Sequence, residues 1–209
     1  MTVWFTSDHH FGHRNIIRYS NRPYLHPSTG EPDPDAMNLH LVEQHNSVVG
    51  VDDEVWMLGD VALGPIEESL QFVRALNGKK TLVVGNHDRN FRGSETKRRT
   101  WDDKYVHEAG FEQIIHGGIV LYLADGTPAL LNHFPYVGDS QDVERHSNHR
   151  PADTGGWLIH GHVHEKWRQR GRQINVGVDA WAGTPVDENT IVNLIRAGKN
   201  HSAPLPWKQ

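Results

Sequence analysis

Val55-Trp56-Met57-Leu58-Gly59-Asp60, then Ile66 to Leu76, then Lys80-Thr81-Leu82-Val83-Val84-Gly85-Asn86-His87-Asp88, is the stretch on which the fold turns. Val55 to Leu58 is a short apolar run closed by glycine, which reads as a buried strand. Ile66 to Leu76 reads as an amphipathic helix, entered after Pro65 and stopped by Asn77-Gly78. Lys80 to Val84 is another apolar run, ending on Gly85. Strand, helix, strand is the order of a βαβ unit, and such units build a covered, largely parallel sheet. Asp60 and Asn86 then stand just past strand ends, where an α/β sheet aims side chains at a common point.

Outward from this unit, Val3 to Thr6 reads as a first buried strand. Asp35 to Val49 reads as a helix with Met37, Leu41, Val42, His45 and Val49 on one face. The second half changes character. Ile119 to Leu123, Ala129 to Asn132, Leu158 to Ile159 and Gln173 to Val176 are short strands with few helical patterns between them, and Ala124-Asp125-Gly126-Thr127 signals a hairpin turn. The expected fold is α/β, two packed mixed sheets flanked by helices, the second more antiparallel, in one domain over residues 1–209. Three stretches read as loops: Asn21 to Pro34, with four prolines; Arg89 to Lys104, strongly charged; and Tyr136 to Gly156, which holds Arg145, His146, His149 and Arg150. The last of these fits a binding loop and a mobile surface loop equally well. The tail Ala203 to Trp207 reads as a frayed or packed end.

Composition excludes several classes. A chain of 209 residues buries about 70% of its unfolded surface. With 36% hydrophobic and 22% charged residues, and no apolar run near the roughly 20 residues needed to span a bilayer, membrane insertion is not expected. A ligand-type residue stands as early as Asp8, which leaves no room for a cleavable leader. There is no cysteine, so disulfides and thiolate metal sites are out, and a reducing, cytoplasmic setting is expected. The net charge of −5 opposes tight binding to long nucleic acid; Arg92, Lys97, Arg98 and Arg99 form the one basic cluster. Small phosphate substrates fit.

Chemistry concentrates in five motifs: Asp8-x-His10, Gly59-Asp60, Gly85-Asn86-His87-Asp88, His133 and Gly161-His162-Val163-His164. On an extended strand residues i and i+2 share a face, so Asp8 and His10 are expected to reach one cation together, and His162 and His164 again share one face. Asp60 has two oxygens and can bridge two cations; Asn86 offers a neutral oxygen. His133 alone fits a buried, satisfied histidine, and Asp60 alone fits a turn residue. Five of the 16 histidines fall in the motifs, and the others read as surface or packing residues. His9 is expected to point away from His10.

Taken in order, these motifs resemble those of the calcineurin-like metallophosphoesterase superfamily. Phe5-Thr6-Ser7-Asp8-His9-His10-Phe11-Gly12-His13 is similar to its small bacterial and phage-encoded members. The resemblance spans positions 8 to 164. It implies a dinuclear metal-dependent phosphoesterase in which Asp8, His10, Asp60 and His164 hold one divalent ion, and Asp60, Asn86, His133 and His162 the other. Manganese is expected first, with Fe, Ni, Co or Zn also suited to imidazole and carboxylate ligands. A bridging hydroxide would attack phosphodiesters of small nucleotides, including 2′,3′-cyclic ones. His87 would aid the leaving group, with Asp88 orienting it and raising its pKa. His13, Arg14 and Arg89 are candidates for substrate contact, a solvated charge being the other reading of Arg89. The alternatives are a phosphomonoesterase or nuclease on the same site, and a non-catalytic scaffold. Asp179 reads either as a support for a ligating histidine or as a turn residue.

Overall fold

The computed structural model describes residues 1–207. It is an α/β fold of two mixed sheets flanked by helices. The first sheet has the order β10-β1-β2-β3-β4, with β1 (Val3–Thr6), β2 (Glu54–Met57), β3 (Lys79–Val83) and β4 (Phe111–Ile115) all parallel and β10 (Val186–Asp187) antiparallel at one edge. The second runs β11-β8-β9-β7-β6-β5, from β5 (Gly118–Tyr122), β6 (Pro128–Asn132), β7 (Trp157–His160), β8 (Gln169–Gly171), β9 (Gln173–Asn175) and β11 (Asn200–Ser202). Within it β6, β7 and β9 are parallel neighbours, and the other pairings are antiparallel. The hairpin at 124–127 joins β5 to β6, with the Leu123 amide donating to the Thr127 carbonyl at 3.0 Å.

Alternation along the first sheet builds two cores. Val55, Met57 and Leu82 face α2 (Pro34–Val48), α3 (Ile66–Arg74) and α4 (Glu95–His107), meeting Met37, Leu41, Leu70, Val73 and Tyr105. Phe5, Leu58 and Val83 face the second sheet and meet Leu131, Ile159 and Ile174, joined by Ile191 and Val192 of α5 (Glu188–Ala197). Each fully buried Leu or Phe contributes roughly 1.5–3 kcal/mol. Among the described residues no helix is long and apolar enough to cross a membrane.

The helices start where their caps allow. The Asp33 carboxylate accepts from Ala36 N and Pro34 opens α2; Asp187 accepts from Thr190 N at α5. Helix α4 corrects the expectation of a loop over Arg89 to Lys104. Ser94 accepts from Lys97 N, and Trp101 and Tyr105, four apart, pack on the core while the charged face meets water. Two apolar residues suffice here because the rest of α4 is solvated. Asn21 to Pro34 and Tyr136 to Gly156 are irregular as expected, apart from a 3-10 turn at Ser147–His149. The tail packs: Leu205 N donates to Ala180 O at 2.9 Å and Trp207 lies edge-on to Tyr24.

Candidate metal centre

All five motifs leave the C-terminal ends of neighbouring strands. Asp8 and His10 follow β1, Asp60 follows β2, Asn86 follows β3, His133 follows β6, and His162 and His164 follow β7. Parallel pairing continues past the strands, with Asp8 N donating to Gly59 O, His10 N to Asp60 O and Phe11 N to Val61 O, each at 3.0 Å. Sheet pairing therefore delivers the side chains to one rim.

The expected strand alternation is not what makes Asp8 and His10 converge, and His162 and His164 turn to different neighbours, His133 and His10. Strands β1 and β7 have ended, and Asp8, His10, Asp60, His162 and His164 all have left-handed backbones, φ between 48° and 71°. Such a conformation costs on the order of 1 kcal/mol or more per non-glycine residue. Other bonds fix it. Arg22, 2% exposed, donates from Nη2 to Asp8 O at 2.7 Å and from Nη1 to His9 O at 2.8 Å, and grips Asp179 through Nε and Nη2 at 2.7 and 2.8 Å. The Asp8 carboxylate accepts from His162 N at 2.9 Å, tying the first motif to the last. His9 stacks on Phe11, buried and turned from the site.

The glycines of the motifs are set by contact. A Cβ on Gly161 would collide with Ser7 Oγ and Asp8 Oδ2, and one on Gly85 would strike the Asp60 backbone.

Two groups of donors converge, each with its ligand atoms within 4.8 Å of one another: Asp8, His10 and His164, and Asp8, Asp60 and His133. Asp8 is common to both groups, and Asp60 Oδ2 lies 3.7 Å from His10 Nε2 and 3.5 Å from His133 Nε2. His133 Nδ1 donates to Leu58 O at 2.7 Å, so its Nε2 lone pair faces Asn86 Oδ1 at 3.0 Å. Two acceptors so placed need a proton or a cation between them. His164 Nδ1 bonds Asp179 at 2.9 Å, leaving Nε2 as its ligand atom; His162 Nε2 bonds Asp139 at 3.1 Å, leaving Nδ1. The His162 ring stands 5.2 Å from His133. Asp8 Oδ1 and both ring nitrogens of His10 are buried with no hydrogen-bond partner. Metal ions fit this donor set, as nitrogen and oxygen ligands without thiolate.

The electrostatics agree. Burial pushes the Asp60 carboxyl up to about 7; His133 opposes this, and the Asp88 and Asp8 charges add to it. Burial would lower His164, but the Asp179 bond and the Asp8 charge outweigh it and hold the ring up at about 9. His10 is held well below its ordinary value by burial and by its neighbours His164 and His87. Protons are thus drawn to Asp60 and His164 and kept off His10.

The remaining expected site residues divide. His13 and His87 line a cavity of about 350 Å³ beside His10 and His164. Asp88 does not orient His87: its carboxylate accepts from Asp60 N, Val61 N and Gly85 N at 3.0, 3.1 and 2.8 Å, holding the loops together. Nor is the His87 pKa raised. Burial first, then His133, His13, His164 and Arg145, lower it to about 4. Arg14 pairs with Glu31 at 2.9 Å on another surface. Arg89 is exposed and is not among the cavity's lining residues. Arg22 and Asp139 escaped the sequence reading, since each acts through distant partners. An arginine buried against Asp179, 157 residues away, leaves no local signal.

No protein-family model matches the chain. Fold and site define the class as an α/β protein with a buried His/Asp cluster able to bind metal ions. The Gene 66 protein of Mycobacterium phage D29 is 36% identical over 211 residues, covering 94% of this chain and 98% of its own length, and that of phage L5 is 33% identical over 202 residues, covering 92% and 93%. The chain belongs to the family of these phage proteins. A protein of unknown function from Aquifex aeolicus shares the fold at a TM-score of 0.67 with 26% identity, over 92% of this chain and 98% of that one. A remoter likeness, to an archaeal phosphodiesterase, has 17% identity and a TM-score of 0.37 over 85% of this chain and 82% of that one.

Proposed function

We propose that this chain is a metal-dependent phosphoesterase that hydrolyses phosphodiesters of small nucleotides, 2′,3′-cyclic ones among them, with two divalent ions, manganese first. The same reading makes it a single-domain, cytoplasmic enzyme. One observation carries it: a buried cluster of Asp8, His10, Asp60, His133 and His164 that leaves Asp8 Oδ1 and both His10 nitrogens unpartnered. Unpaired buried polar atoms are costly, and a cation satisfies them.

When bound, the ions would polarise the phosphoryl oxygens and lower the pKa of water at the site. Asp60 would take the shared position. Its Oδ2 faces both groups of ligands, while Oδ1 is held by the His87 amide at 2.7 Å. His87 borders the cavity where substrate would lie. With its pKa near 4 the ring is neutral at pH 7, so its N–H would support the leaving oxygen by hydrogen bonding. The net charge of −5 keeps long nucleic acid outside this reading.

The test is hydrolysis of bis-p-nitrophenyl phosphate and of 2′,3′-cyclic nucleotides across Mn, Fe, Ni, Co and Zn. Activity with manganese, abolished by chelator and by His10→Ala, is expected. No hydrolysis with any of these ions, and no manganese binding by calorimetry, would end the proposal.

A further inference from the structure

We infer that the cavity beside the metal centre carries a nucleobase subsite, with the Tyr19 ring as its stacking face and Gln141 as its hydrogen-bonding edge. This rests on the reading above, that the centre handles a nucleotide phosphoester, and adds which part of the substrate the rest of the cavity takes.

Tyr19 is 68% exposed although it is a large aromatic residue. It ends α1 (Ile16–Tyr19), a single turn anchored by Ile16 and Ile17, which are buried. The ring is thus bare but firmly mounted. The cavity of about 350 Å³ runs from His10, His87 and His164 to Tyr19, with Gln141 and Arg145 from the 136–156 loop on its wall. That volume suits a mononucleotide, at the small end of ligand pockets.

Geometry divides the cavity by chemistry. Ring-to-ring steps of 5.6 Å from His10 to His13 and 6.2 Å from His13 to Tyr19 lead from the centre along the cavity to the phenol. Arg145 spends Nε and Nη2 on Asp139, at 3.1 and 2.7 Å. Among the described residues its Nη1 has no partner, so it can meet a phosphate oxygen. The Gln141 side-chain amide likewise has no partner among the described residues, and it offers a donor and an acceptor to a base edge. Glu165 on the same wall disfavours a second phosphate and suits a sugar hydroxyl. The aromatic face and the amide match a base, the Glu165 carboxylate a sugar hydroxyl, and the Arg145 cation beside the metal centre a phosphate.

Calorimetric titration of the manganese-loaded protein with AMP and with ribose 5-phosphate isolates the base. Stacking on an aromatic side chain leads us to expect AMP to bind about 10-fold more tightly or better. In Tyr19→Ala the AMP to ribose 5-phosphate ratio should collapse to within about 2-fold, while Tyr19→Phe, which keeps the ring, should retain it. Equal binding of the two ligands by the natural protein, or a ratio that survives Tyr19→Ala, overturns the subsite. Diester hydrolysis run in parallel separates the two ideas. Turnover without base preference sinks only the subsite, whereas base-dependent binding without turnover sinks only the phosphoesterase.

Discussion

Asp179→Asn removes one negative charge from the interior and leaves shape almost unchanged. Asp179 is 1% exposed and serves two partners, Arg22 at 2.7 and 2.8 Å and His164 Nδ1 at 2.9 Å. Its carboxyl is held down at about 2: burial pushes it up, but Arg22 and His164 prevail. Removing one member of a buried ion pair costs about 3–5 kcal/mol, because the other charge stays buried and uncompensated. The asparagine oxygen can still accept one bond, so the lower end applies. In a chain of this size each kcal/mol moves Tm by roughly 2–4 °C, so a fall of about 6–12 °C is expected in metal-free thermal melts. Losing the carboxylate that orients His164 should also weaken manganese binding by about 10–100-fold in calorimetry. A melt lowered by less than about 2 °C, or undiminished manganese affinity, would refute the reasoning.

Four further outcomes follow from the same structure. Manganese at about 100 times its Kd should stabilise the fold by roughly 2.7 kcal/mol, raising Tm by about 5–11 °C; His10→Ala should abolish the shift, and a full shift in that variant would place the ion elsewhere. Gly161→Ala drives a methyl group onto Ser7 and Asp8, so it should cost about 1–3 kcal/mol and the manganese response together; a native melt with normal binding would show the contact to be soft. Asp88→Ala strands three backbone N–H groups at about 1–3 kcal/mol each, so a large drop in Tm is expected, and a slowed reaction with an unchanged melt would restore Asp88 as the partner of His87. His45 is fully buried with Nε2 on the Asn77 carbonyl at 3.0 Å, and burial lowers its pKa to about 4. Its folded value lies below the unfolded one, so its contribution is complete above about pH 6.5 and drains as pH falls toward 4, by about 3 kcal/mol in all. Urea midpoints that fall between pH 7 and 4.5, and fall less in His45→Gln, are expected; identical slopes for the two proteins would count against it.

Local patterns were legible where local causes act. The run from Val55 to Asp88 spelled out its strands and helix because alternation, Pro65 and Asn77-Gly78 are read within a few residues. The five motifs were legible because each sits directly after an apolar strand. Helix α4 was not, since only Trp101 and Tyr105 of its 13 residues reach the core and charge hides the period. Asp8 and His10 stand together through left-handed turns rather than strand alternation, whereas His162 and His164 turn to different neighbours, His133 and His10. Asp88 was misread because adjacency to His87 says nothing about direction, and its carboxylate turns to three amides instead. Arg22 and Asp139 work across 157 and 23 residues, beyond what neighbouring letters reveal.

The bond from His162 N to the Asp8 carboxylate spans 154 residues, and the Arg22 to Asp179 pair spans 157. During synthesis the ribosome releases Asp8, His10, Asp60 and Asn86 long before His133, His162 and His164 emerge. A nascent polypeptide lacking Asp179 holds its early carboxylates without the groups that lock them in place. A cation held by this cluster would therefore need both halves of the polypeptide, the early carboxylates and the late imidazoles alike.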